Sequence, residues 1–116
     1  MHGDIQAMKN HRMLLGVLLL GLSQAGVAGN EEVTLTIQDH QFQPARVEIP
    51  ANTRVKLNIQ NKDATPEEFE SHKLHREKII PGNSQAIVFV GPLAPGEYPF
   101  VGEFHEDTAK GVIVVR

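Results

Sequence analysis

Four side chains able to hold a cation fall within five consecutive positions near the end of the chain: Glu103, His105, Glu106 and Asp107. Imidazole is a strong nitrogen donor and carboxylates are hard oxygen donors, so this grouping suits an ion that accepts both, with copper(II) and iron(II) as the candidates. A second concentration, Glu67-Glu68-Phe69-Glu70-Ser71-His72, lies upstream. Either stretch also fits a plainer description, a solvated charge row or a polar turn, because loops between strands are commonly acidic.

The elements that must position these groups read as short strands. Val33, Leu35 and Ile37 alternate along a first strand, Val47 and Ile49 along a second, and Val55, Leu57 and Ile59 along a third. Phe42-Gln43-Pro44, Pro50-Ala51-Asn52 and Asn61 to Pro66 interrupt them with turn chemistry. Glu67 to His72 offers one apolar residue in six, which makes no helical stripe, so it is predicted to be a strand with Phe69 facing in. Ile79-Ile80 ends a strand at Pro81-Gly82, Ala86 to Val90 forms a buried one, and Tyr98 and Phe100 alternate before the acidic loop. Val112 to Val115 closes the chain. Seven or eight short strands at regular spacing predict an all-β fold, a Greek-key β-sandwich.

The first segment reads as an address rather than as part of that fold. Met8 to Arg12 is short and basic, Met13 to Leu22 is apolar, and Ser23 to Ala28 is small and weakly polar, the three parts of a secretory signal. Met8 is a candidate start, and cleavage is expected after Ala28. An apolar run of about ten residues falls short of the ~20 that span a bilayer, so residues 1–28 are read as a signal peptide and 29–116 as the exported, periplasmic domain, without membrane insertion. That domain carries 9 basic against 13 acidic residues, a balance that gives no support to a nucleic-acid partner. The chain has no cysteine, so an exported domain this small is held by its core, with a bound ion as a possible aid.

Taken in order, Phe42-x-Pro44, Val47-x-Ile49-Pro50-Ala51-Asn52, Asn61-x-Asp63, Pro66-Glu67-Glu68-Phe69-Glu70, Pro81-Gly82, Leu93-x-Pro95-Gly96-Glu97-Tyr98-x-Phe100, Phe104-His105 and Gly111-x-x-x-Val115 resemble a cupredoxin. The resemblance covers nearly all of the exported portion and is strongest to the cupredoxin-like domains of the EfeO-type group, found with bacterial ferrous-iron uptake systems. It implies a metal ion as partner, and with it an iron-permease system or that system's periplasmic iron-binding component.

The blue-copper pattern takes two His, one Cys and a weak axial Met. Laid over this chain, the first His position falls on Glu67, the Cys position on Gly102 and the Met position on Ala109, while His105 keeps its place. Without a thiolate there is no blue-copper centre. What the resemblance then implies is a site of Glu67, Glu103 and His105 for copper or iron, with Glu67 and Glu103 facing each other and one of the two carboxyls raised in pKa by repulsion. Glu68, Glu70 and His72 fall on the opposite face, as a solvated row or a second surface site, and Glu106 and Asp107 attract the cation. His40 is read as a surface turn residue in a loop that approaches the metal end in cupredoxins. His75 is read as a solvated residue among Lys73, Arg76 and Lys78, and Tyr98, Phe100 and Phe104 as core. The leading function is a periplasmic metal-binding protein supporting iron uptake. The alternatives are a ferroxidase, set second because a single mononuclear site cannot store the four electrons dioxygen takes up on reduction to water, and a metal-free interaction module.

Overall fold

The computed structural model describes residues 31–116. The signal peptide read over residues 1–28 and the first two residues of the domain lie outside the described residues. Nine strands run in chain order: β1 (Glu31–Gln38), β2 (Gln41–Gln43), β3 (Arg46–Ile49), β4 (Val55–Asn61), β5 (Glu67–Ser71), β6 (Arg76–Ile80), β7 (Ser84–Val90), β8 (Gly96–Gly102) and β9 (Lys110–Val115). A 3-10 turn, Glu103–His105, follows β8. Among the described residues no helix is long and apolar enough to cross a membrane.

The strands form two sheets, β2-β1-β4-β7 and β3-β9-β8-β5-β6, packed as a Greek-key sandwich. β1 runs parallel to β4, and β3 parallel to β9; the remaining pairs are antiparallel. The count exceeds the seven or eight expected because Phe42, between two turn residues and a proline, closes a short hairpin onto β1 with Phe42 opposite Ile37.

Period-two alternation carries the core as read. Leu35 and Ile37 of β1, Val55, Leu57 and Ile59 of β4, and Phe69 of β5 have no exposed surface. Phe42, Phe69 and Phe100 meet across the two sheets, with ring centroids 4.9 Å apart for Phe42–Phe100 and 5.1 Å for Phe69–Phe100. Gly111 is required beneath Phe100: a β-carbon there would lie 2.3 Å from the ring's Cζ. Tyr98 is buried and donates its hydroxyl to Ala94 O at 2.8 Å, which ties the turn before β8 to the strand.

Phe104 departs from expectation. It is 47% exposed, because β8 ends at Gly102 and the 3-10 turn breaks the alternation that Tyr98 and Phe100 follow. The loop from Asn61 to Pro66 is pinned from within by Asn61, whose Nδ2 donates to Thr65 O at 2.8 Å and Ile80 O at 3.2 Å, while its Oδ1 accepts from Asp63 N at 3.0 Å.

Candidate functional site

β5 begins at Glu67 on the same face as Phe69, so its carboxylate enters the sandwich end rather than solvent; only 1% of the residue is exposed. A carboxylate buried to that degree needs partners, and it has three. Oε2 accepts the backbone N–H of Phe104 at 2.8 Å and of Glu68 at 3.0 Å, and Oε1 lies 2.7 Å from His105 Nδ1. An ionised carboxylate only accepts, so Nδ1 of His105 is the donor in that contact, and in the neutral ring Nε2 is left with the lone pair.

His105 is presented by the 3-10 turn and by its own carbonyl, which accepts the N–H of Ala109 at 2.8 Å and of Thr108 at 3.2 Å. Gly102 N donates to Ala109 O at 2.8 Å and closes the loop at its base. The side chain of His105 is 28% exposed, so the ring spans from the buried acid to the surface.

Gly102 has no room for a side chain because Glu67 and Ala109 take that space. A β-carbon on Gly102 would lie 2.7 Å from Glu67 Cδ and 2.7 Å from Ala109 Cβ, and Ala109 has no exposed surface. The four positions that correspond by sequence to first His, Cys, second His and Met therefore converge in space. The carboxylate of Glu67 fills the room among the other three.

Glu103 does not join Glu67. Its carboxyl is instead the main influence on Glu68, on the outer face of β5: the nearness of Glu103, followed by burial and the charges of Glu103, Glu77 and Glu70, pushes the Glu68 carboxyl up to about 7. Like charges on facing side chains can share a site only if one holds a proton. The expected repulsion between Glu67 and Glu103 is thus replaced by one between Glu68 and Glu103. On the same outer face Glu70 is raised by burial and then by the Glu103 charge, with His72 acting against both; His72 Nε2 lies 3.6 Å from Glu70 Oε2. Of the five predicted ligands, the structure brings Glu67 and His105 into contact, sets Glu103 at the rim beside His105, and pairs a buried Glu70 with an exposed His72 away from them. Among the described residues no group of three or more His, Cys, Asp or Glu is placed so that it could hold a metal ion.

His40 was legible as a turn residue, but its neighbour was not. Asp39 and His40 form the two-residue connection of the β1–β2 hairpin with φ of 55° and 59°, and the His40 ring stacks on His105 at 3.5 Å between centroids and 12° between planes. Asp63 holds that turn: its Oδ1 and Oδ2 accept the N–H of Asp39 at 2.8 Å and of His40 at 3.0 Å. Burial pushes the Asp63 carboxyl up, but the bonds from His40 and Asp39 and the charge that His40 and His105 can carry outweigh it and hold the carboxyl below its ordinary value. Thr108 Oγ1 donates to His40 O at 2.6 Å, which stitches the hairpin to the β8–β9 loop. A shallow depression of about 490 Å³, lined in part by His40, Glu103, His105, Glu106 and Asp107, opens over the two rings. Sequence reasoning set Asp63 in a turn and in the family pattern but gave it no part in the site; two polar residues between β1 and Phe42 were the available signal for a tight hairpin.

Donor chemistry decides which ion this end of the sandwich can take. Neither Gly102 nor Ala109 offers sulfur, and the chain has no cysteine, so a thiolate-bound copper does not fit. The donors this end does offer at the rim are imidazole and carboxylate, a set that suits copper(II) or iron(II) in kind.

A family model described as a cupredoxin-like domain matches residues 11–115. An uncharacterised protein of Rickettsia prowazekii (strain Madrid E) is 51% identical over 85 residues, spanning 73% of this chain and 68% of that relative. Among solved structures, an apo copper-binding protein studied by NMR superposes with a TM-score of 0.67 at 16% identity, covering 76% of this chain and 89% of its own. Auracyanin A, a "blue" copper protein of Chloroflexus aurantiacus, gives 0.66 at 14% identity, with 76% and 100% covered. The metal-binding domain of the Cu(I)-exporting P-type ATPase of Streptococcus pneumoniae, with Cu(I), gives 0.65 at 12% identity, with 76% and 87% covered.

Proposed function

This chain belongs to the cupredoxin-like domain family, and from that premise we propose that it is an exported, periplasmic protein that binds copper(II) or iron(II) through imidazole and carboxylate groups and supports iron uptake. The observation that carries the reading is the Glu67–His105 contact at 2.7 Å. A histidine that ligates a metal characteristically donates its other ring N–H to a carboxylate, which fixes the tautomer and raises the basicity of the ligating nitrogen. Glu67 serves His105 in that way, and Nε2 is the donor turned toward the rim. Glu106 and Asp107 draw the cation in. Glu68, Glu70 and His72 are kept as a solvated row or a second surface position on β5, where a divalent ion would relieve the repulsion that raises the Glu68 and Glu70 carboxyls. At equal access the Irving–Williams order favours copper. The three-part pattern at residues 8–28 supports export, and the resemblance to the EfeO-type group supports a partner in an iron-permease system.

A second reading, a metal-free interaction module, draws on the same pair: three N–H groups of the chain itself already satisfy Glu67. Metal analysis of protein purified from its native compartment, followed by anaerobic titration with copper(II) and iron(II), separates the two. Retained metal or saturable binding of one equivalent supports the metal reading; protein that holds neither ion after extended exposure favours the module. Loss of iron(II) under air by stopped flow, with and without preloaded copper, tests the ferroxidase alternative.

A further inference from the structure

The β1–β2 turn carries a feature that its own fold does not require. A two-residue hairpin with positive φ at both positions is ordinarily built from Asn-Gly or Asp-Gly, since glycine occupies the second position without steric cost. Here the second position is His40, at φ 59°. An L-residue in that region gives up some stability, and a costly conformation held firmly by its surroundings points toward use of the side chain. The surroundings do hold it firmly. Asp63 accepts both N–H groups of the turn, Asn61 in turn fixes Asp63, and Thr108 bonds the His40 carbonyl. The result is an imidazole laid flat against His105 at the edge of the same depression.

We propose that His40 is the second imidazole donor for a divalent transition-metal ion held by His105, with Asp63 as the residue that positions it. The inference rests on the reading of His105 as a metal donor and deepens it by naming a ligand that the blue-copper pattern does not contain. Glu67 fixes His105 Nδ1 as a donor, so His105 meets the ion through Nε2. Parallel rings 3.5 Å apart do not aim their in-plane lone pairs at one point, so binding swings the His40 ring out of the stack while the turn beneath it stays in place. The two imidazoles come from loops 65 positions apart that are joined by the Thr108–His40 bond, and the bound ion links them a second time.

The experiment is copper(II) titration with electron paramagnetic resonance, which counts coordinated nitrogens through their hyperfine splitting, on wild type, His40→Asn, Asp63→Ala, His105→Ala and the control His75→Ala. Asparagine tolerates the left-handed conformation, so His40→Asn keeps the turn and removes only the imidazole. Wild type and His75→Ala are expected to show two nitrogens and equal affinity. His40→Asn should show one nitrogen and lose at least the roughly 10- to 100-fold in affinity that even an orienting partner is worth. Asp63→Ala should weaken binding yet keep two nitrogens at saturation, which a ligand would not do. One nitrogen in the wild type, or unchanged affinity and two nitrogens in His40→Asn while His105→Ala abolishes binding, overturns the role of His40 and leaves the proposed function standing. A wild type that takes up no copper(II) overturns both.

Discussion

Replacing Glu67 by glutamine changes one atom and reverses the hydrogen-bond logic of the whole sandwich end. The carboxylate now accepts three N–H groups, two of them on Oε2. Glutamine has one acceptor oxygen and one NH2 donor. If its oxygen stays with the Phe104 and Glu68 amides, the NH2 faces His105 Nδ1, which must then give up its proton and move it to Nε2. If instead the oxygen stays with His105, two backbone N–H groups face a donor and lose their partner. In the first case a charge-assisted bond, worth about 1.5–3 kcal/mol, becomes a neutral one worth about 0.5–1.5 kcal/mol, so Glu67→Gln should cost roughly 1–2 kcal/mol. In a domain of this size that lowers the melting temperature by about 5–15 °C. Had Glu67 faced Glu103 as its neighbour, the same substitution would have relieved repulsion and stabilised the protein; the contact of Glu103 with Glu68 removes that ground. The assay is a pair of thermal melts without metal, joined to 15N shifts of the His105 ring. Loss of stability together with protonated Nε2 is expected. A variant that melts at or above the wild-type temperature with the ring tautomer unchanged would refute the assignment of Glu67 as the acid that orients His105.

Gly102→Cys restores the family's sulfur but sets a β-carbon 2.7 Å from Glu67 Cδ, so it should destabilise by about 1–3 kcal/mol in chemical denaturation; wild type saturated with copper(II) should show no intense thiolate band in the visible, and such a band would exclude the imidazole–carboxylate site. The Glu68 carboxyl, at about 7 when folded and near 4.5 otherwise, binds more protons in the native state across that window, so its contribution to stability falls as pH rises from 4.5 to 7. Melts over this range should therefore show Glu68→Gln gaining on the wild type toward neutral pH, with no gap at pH 4; a constant offset would contradict the Glu68–Glu103 contact. Asn61→Ala leaves the carbonyls of Thr65 and Ile80 and the N–H of Asp63 without their partner, and should cost about 1–3 kcal/mol and loosen the Asp39–His40 turn, seen as faster amide exchange at His40.

Alternation of apolar residues placed the strands apart from β2, which reads as an interruption, and through Phe69 it set Glu67 on the inward face. Its reach ended where the strands ended. Beyond Gly102 the chain turns as a 3-10 segment, so counting by two assigned Phe104 to the core and could not say on which side of β5 Glu103 would lie. The hydrogen bond between Glu67 and His105 was within reach as a neighbourhood, since both occupy ligand positions of the same family pattern, but not as a contact: only three dimensions show that the carboxylate itself takes the space a side chain at position 102 would need. The His40–His105 stack left no periodic trace. It depends on two positive φ angles and on the remote Asp63 carboxylate, with 23 positions separating that acid from the His40 amide it holds. Interactions of side chain with backbone across such separations follow from topology, not from local pattern.

The most direct measurement is calorimetric titration of copper(II), and anaerobically of iron(II), into wild type, His105→Ala and His75→Ala at neutral pH. If an ion is held at the rim through Nε2 of His105, the wild type and His75→Ala bind one equivalent alike and His105→Ala loses that binding. Equal titration of all three would contradict the site.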